Sequence, residues 1–95
     1  MEAVGDTLDP LVSIITVSSF DAVGFSKTFA SVKEQSYGNW ELIAVINPKS
    51  EETVRAAIQA REDSIQVKVF HDKGKGIYPA MNLGLTKATG NLLFL

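Results

Sequence analysis

The sequence predicts an α/β protein built on a parallel sheet. Three observations carry that reading. Short aliphatic, β-branched runs recur at 11–17, 40–46 and 65–70, and a fourth opens at Leu92. Segments with helical spacing separate them. Those segments are long enough to act as crossovers, which strands joined in parallel require. The predicted order is strand-helix-strand-helix-strand-helix-strand, with helices on both faces of the sheet, a three-layer arrangement.

Residues 1–10 read as a leader ending at Pro10. Leu11–Val17 is apolar or β-branched at nearly every position, as in a strand covered on both faces. Ser18–Gly24 reads as a turn, in which Asp21 can cap the next helix. Phe25, Phe29 and Val32 follow at helical spacing and mark a core-facing stripe on a helix of about ten residues running to Gln35. Trp40–Ile46 is the second strand, with Trp40 as a packing residue, and Asn47-Pro48-Lys49 ends it. Ser50 is a good N-cap, and Glu51 and Glu52 suit the positive end of the helix that follows. Val54, Ala57, Ile58 and Arg61 trace that helix. Ile65–Phe70 is the third strand, with Ile65, Val67 and Val69 expected on one face. After a charged loop, Ile77, Met81, Leu85 and Ala88 are expected to line one side of a third helix, with Pro79 in its first turn. Gly90 suits the position beyond the helix end, and Leu92–Leu95 opens the fourth strand.

Composition narrows the function. The chain has 95 residues, 45% of them hydrophobic, a net charge of -2 and no cysteine. That is enough apolar material for one core. Nine basic against eleven acidic residues leaves no excess to neutralise a phosphate backbone, which argues against a nucleic-acid partner. Without cysteine there is no disulfide and no thiolate chemistry. The longest apolar stretch is far below the roughly 20 residues that span a bilayer, so no transmembrane segment is expected. The acidic start does not have the layout of a signal peptide, and the expected location is cytoplasmic.

In a parallel sheet of this kind, ligands sit at the carboxyl ends of the strands. Thr16–Phe20, Ile46–Ser50 and Phe70–Tyr78 therefore meet at one edge. Gly74-Lys-Gly-Ile-Tyr-Pro79 is similar to the dinucleotide fingerprint Gly-x-Gly-x-x-Gly, but it ends in proline and follows the third strand, not the first. His71 stands alone without a metal-ligand spacing and reads as a surface residue at a strand end, with Asp72 as an equally open choice between loop solvation and function. No Gly-x-Ser-x-Gly elbow is present. The residues alone lead to a small parallel α/β domain with a ligand edge.

Two stretches are familiar as strings. Leu11-Val-Ser-Ile-Ile-Thr-Val17, the helix end Ser31-Val-Lys-Glu-Gln-Ser-Tyr37 and the strand Trp40-Glu-Leu-Ile-Ala-Val-Ile46 resemble the opening of family 2 glycosyltransferases. Lys75-Gly-Ile-Tyr-Pro-Ala-Met-Asn82, with Gly84 and Ala88-Thr-Gly-Asn-Leu-Leu-Phe-Leu95, resembles a more specific segment of that family. The resemblance covers residues 10–95. It implies the Rossmann-like amino-terminal half of a GT-A fold, with strand order 3-2-1-4. It implies an enzyme that moves a sugar from a nucleotide-diphosphate-sugar, UDP- or GDP-linked, to an acceptor hydroxyl. By the same resemblance Thr16, Ser18, Ser19, Asn47, Lys75, Tyr78 and Asn82 are expected to contact the nucleotide. Asn47 would accept from the base through its amide oxygen.

The chain departs from the family pattern in three ways. Asn47-Pro48-Lys49 replaces the aspartate common after the second strand, and Gly74 and Pro79 stand where acids are common. The acidic pair that holds a divalent metal, Mg2+ or Mn2+, would follow Leu95. Residues 11–95 are therefore expected to form a nucleotide-binding half-domain that stops short of that motif. The fragment alone is expected to bind no metal, to have no catalytic residue and to turn nothing over. Leu92–Leu95, left as an apolar edge, would favour self-association. The alternative is a non-catalytic nucleotide-binding or interaction module of α/β type.

Overall fold

The computed structural model describes residues 10–72 and 76–95. Strand β1 (Val12–Ser18) leads to helix α1 (Ala22–Glu34), β2 (Trp40–Ile46), α2 (Glu51–Asp63), β3 (Val67–His71), α3 (Ile77–Lys87) and β4 (Asn91–Phe94). The four strands form one sheet in the order β3-β2-β1-β4. Every pairing is parallel, with Val12 opposite Trp40, Leu42 opposite Val67 and Val12 opposite Asn91 at the starts of the three ladders. The predicted fold class and strand order are thus the observed ones.

Alternation along the strands splits the core in two. Ile14, Leu42, Ala44, Ile46 and Val67 face α1 and α2, meeting Phe25, Val32, Ala57 and Ala60. Ile15, Ile43 and Val45 face the other way and meet Ala80 of α3. A period of two residues forces this division, and it explains why β2 is buried at every position. Trp40, 7% exposed, packs in the first of these clusters.

Three expectations change. Helix α1 begins at Ala22, inside the predicted turn, because Asp21 caps it: the carboxylate accepts the Gly24 N–H at 2.9 Å. The cap fits only because position 24 is glycine; a Cβ there would lie 2.1 Å from Asp21 Oδ2. Ile65 is 93% exposed and lies outside β3, since the Val67 N–H donates to Ser64 O and closes a turn across it. Helix α3 is rolled by one residue, about 100°. Ala80 and Gly84 face the sheet, while Ile77 and Leu85 are exposed. The reason is steric. Ile15 and Val45 crowd that face, and a Cβ at position 84 would come within 2.6 Å of Ile15 Cγ2. Small residues let the helix approach, which outweighs burial of the larger ones.

The edge of the sheet where the strands begin is closed by a buried polar network. Glu41 is 3% exposed. Its carboxylate accepts from Ser13 Oγ at 2.6 Å, Lys68 Nζ at 2.7 Å, Thr89 N at 2.9 Å and Thr89 Oγ1 at 3.0 Å. Ser13 Oγ in turn accepts the Gly90 N–H at 2.8 Å. Burial pushes the Glu41 pKa up, but the donors from Lys68, Ser13 and Thr89 outweigh it and hold the carboxyl at about 2, below the usual 4.5. One carboxylate thereby fastens the α3–β4 turn to β1, β2 and β3. No helix among the described residues is long and apolar enough to cross a membrane.

Candidate functional site

The opposite edge, where the strands end, holds a cavity of about 270 Å³ lined by Val17, Ser19, Asn47, Asp72, Gly76, Ile77 and Ala80. Three strand ends and one helix start build it. The loop after β1 is held from two sides. The Asn47 N–H donates to Ser18 O at 3.1 Å, which ties that loop to the end of β2. The Asp21 N–H donates to Thr53 Oγ1 at 3.0 Å, which ties it to the first turn of α2. Thr53 is fully buried, and its hydroxyl shares a 2.7 Å hydrogen bond with Ser50 Oγ, the N-cap of α2. Between these anchors Phe20 sits at φ 50°, the left-handed region that bulky residues avoid. Such a conformation costs on the order of 1 kcal/mol or more and persists where neighbours over-determine it.

At the end of β2, Asn47 Oδ1 accepts the Lys49 N–H at 2.9 Å and Asn47 O accepts the Ser50 N–H at 3.2 Å. This turn uses the amide oxygen expected to accept from the base. At the end of β3, the Asp72 N–H donates to Ile46 O at 3.0 Å, and Asp72 is 8% exposed. Gly76, at φ 107°, turns the chain into α3, a conformation a side chain would strain.

The structure brings two of the expected contact residues, Ser19 and Asn47, to the cavity. Thr16 and Ser18 lie within β1, buried, two and four positions after Ile14 and so on the face toward α1 and α2. Tyr78, 77% exposed, and Asn82 lie four residues apart on α3 and do not line the cavity. Lys75 lies outside the described residues. Asp72 was an open choice in the sequence, and its burial at the cavity comes from strand pairing. Its one local signal is its place just past a strand that ends at the ligand edge. Among the described residues no group of three or more His, Cys, Asp or Glu side chains could hold a metal ion. The described residues by themselves therefore do not fit a divalent metal.

The model of the family described as glycosyl transferase family 2 matches residues 13–95. An uncharacterized glycosyltransferase of Mycobacterium tuberculosis is 38% identical over 89 residues, 93% of this chain and 33% of that protein. A PGL/p-HBAD biosynthesis glycosyltransferase of Mycobacterium bovis is 34% identical over 88 residues, 90% of this chain and 34% of that protein. The chain therefore spans about a third of the length of these relatives. A solved mannosyltransferase of Pyrobaculum calidifontis, in complex with GDP-Man and Mn2+, superposes with a TM-score of 0.78 at 22% identity, over 88% of this chain and 26% of that one. That superposition shows a shared fold. With the family model covering nearly the whole described sheet and relatives above 30% identity, this chain belongs to glycosyl transferase family 2.

Proposed function

We propose that this chain is the nucleotide-binding part of a glycosyltransferase that moves a sugar from a nucleotide-diphosphate-sugar to an acceptor hydroxyl, and that the donor's nucleoside occupies the cavity at the strand ends. The observation that carries this is the convergence of the β1, β2 and β3 ends with the start of α3 on one cavity. Ligands of open parallel sheets collect at that edge. The cavity is at or below the lower end of small-molecule sites, which suits a base and part of a ribose more than a whole donor. The Pyrobaculum mannosyltransferase, which has the same fold over this segment, was solved with GDP-Man.

The boundaries belong to the same proposal: a leader over 1–10 and a half-domain over 11–95, with the metal carboxylates and the catalytic base in segments that the relatives have and this chain does not span. The Mn2+ in the Pyrobaculum enzyme supports a divalent metal in that larger protein. A cytoplasmic location is also part of the proposal, and cell fractionation tests it. Titrating the chain with UDP and GDP, with and without Mn2+, while following amide NMR shifts, tests the site. Shifts centred on Val17, Ser19, Asn47, Gly76 and Ile77 are expected. No shifts at millimolar nucleotide would overturn the placement.

Self-association through β4 is a second element of the proposal. β4 is an edge strand, and Leu92, Leu93, Phe94 and Leu95 are between 42% and 60% exposed. An apolar edge of this kind is a template for pairing with another chain. Light scattering is expected to show a dimer or larger species that Leu93→Lys shifts to monomer. A monomeric wild type at high concentration would refute it.

A further inference from the structure

We infer that Thr53, outside the cavity, is a positioning residue for it: its buried hydroxyl holds the strained backbone at Phe20 and so keeps Ser19 against the cavity. This rests on the nucleotide reading of the cavity and adds a residue of α2 that controls its shape.

The loop after β1 closes a circuit of hydrogen bonds. Ser18 O accepts the Asn47 N–H, and Asn47 O accepts the Ser50 N–H. Ser50 Oγ shares its hydrogen with Thr53 Oγ1 at 2.7 Å, and Thr53 Oγ1 accepts the Asp21 N–H at 3.0 Å. The circuit runs from Ser18 to Asp21 the long way round, through the turn after β2 and the first turn of α2. Only Ser19 and Phe20 span the same gap along the chain. Asp21 cannot shift to ease that span, because it also caps α1: its carboxylate accepts the Gly24 N–H and its carbonyl the Phe25 N–H. The chain closes the gap by taking Phe20 to φ 50°.

Packing does not hold that conformation. The Phe20 side chain is 67% exposed, so burial of its ring does not offset the strain of a bulky residue in the left-handed region. The bonds on either side of it must hold it instead. The bond on the β1 side is backbone to backbone. The bond on the α1 side depends on one side chain, that of Thr53, which is fully buried and 32 positions away. Ser19 and Asn47, both members of the circuit, line the cavity. Losing the Thr53 hydroxyl frees Phe20 to relax to negative φ, and Ser19 moves with it. A small displacement of a positioned contact group is enough to weaken a ligand held by few polar contacts.

The test is calorimetric titration of the whole chain with GDP and UDP, with a urea midpoint for each protein. Thr53→Val keeps the shape and removes the acceptor. It is expected to weaken the tighter of the two nucleotides about tenfold, the scale of one hydrogen bond with the strain it holds. Thr53→Ser keeps the hydroxyl and loses a buried methyl, so its midpoint falls while affinity stays within about threefold of wild type. Asparagine takes the left-handed conformation readily, so Phe20→Asn added to Thr53→Val is expected to restore affinity to within about threefold of wild type. Phe20→Asn alone is expected to raise the urea midpoint, since it removes strain.

Wild-type affinity in a folded Thr53→Val overturns the assignment. An equal loss in Thr53→Ser overturns it too, because the effect would then follow stability and not the hydroxyl. Failure of Phe20→Asn to restore affinity overturns the link through Phe20. If Thr53→Val does not fold, Phe20→Asn alone decides, and a midpoint at or below wild type overturns the assignment. In each of these cases nucleotide binding at the cavity stands. A wild type that binds neither GDP nor UDP overturns the cavity reading and this assignment with it.

Discussion

Glu41 and Thr89 lie 48 residues apart in sequence and meet through two hydrogen bonds, from the Thr89 N–H at 2.9 Å and its hydroxyl at 3.0 Å, both to Glu41 Oε2. That contact, with Ser13 and Lys68 on the same carboxylate, is what fixes the α3–β4 turn. Glu41→Ala strands four donors at once. We expect a loss of about 3 kcal/mol, the cost of breaking a buried charged network. Urea denaturation followed by circular dichroism measures it, and a midpoint within error of wild type would refute the network's role.

The same carboxylate sets an acid limit. Its folded pKa of about 2 lies below the usual 4.5. A depressed carboxyl stabilises the fold above its unfolded pKa, and that contribution is lost as pH falls from 4.5 toward 2. At about 1.4 kcal/mol per unit, it amounts to about 3 kcal/mol. Glu41→Gln cannot titrate, so its stability should change less than the wild type's between pH 6 and pH 3. Parallel acid titrations of the two proteins would show this as converging curves; parallel curves would count against it.

Thr53 links the cavity's rim to α2. Thr53→Val keeps the shape but leaves the Asp21 N–H without the acceptor it has at 3.0 Å. We expect a loss of about 1–2 kcal/mol and a melting temperature lower by roughly 4–8 °C for each kcal/mol. Amide shifts at Ser19, Phe20 and Asp21 should move together, because the strained Phe20 backbone is held by this bond. A drop in melting temperature without those shifts would mean that Thr53 acts only as packing.

Gly90 and Gly84 rank in a definite order. A Cβ at 90 would lie 2.3 Å from the Leu11 backbone oxygen, which cannot move without shifting β1. At 84 the clash is with an Ile15 methyl, and alanine recovers about 1 kcal/mol of helix propensity. Gly90→Ala should therefore cost more than Gly84→Ala, with the second near 1 kcal/mol after overpacking of about 1–3 kcal/mol is offset. Denaturation midpoints for the two variants decide it, and equal midpoints would contradict the backbone clash.

The amino-acid sequence by itself determined the class, the order of the elements and the parallel sheet, because these follow from local periodicity and from the length of the connections. Asp21 and Ser50 were legible as caps for the same reason: a cap acts within four residues of itself. The ligand edge followed from parallel topology, and Ser19 and Asn47 with it. Tertiary structure alone decided which stripe of α3 is buried. Ile77, Met81 and Leu85 repeat with helical spacing just as Ala80 and Gly84 do, and only the crowding by Ile15 and Val45 selects the smaller set. It also decided that Ile65 faces solvent and that Glu41, on β2, gathers donors from two neighbouring strands and a turn. Asp72 belongs to that second group. A loop aspartate after a strand is common, and only the register of β3 against β2 sets it beside Asn47 at the cavity, because neighbours across a sheet are distant in the chain.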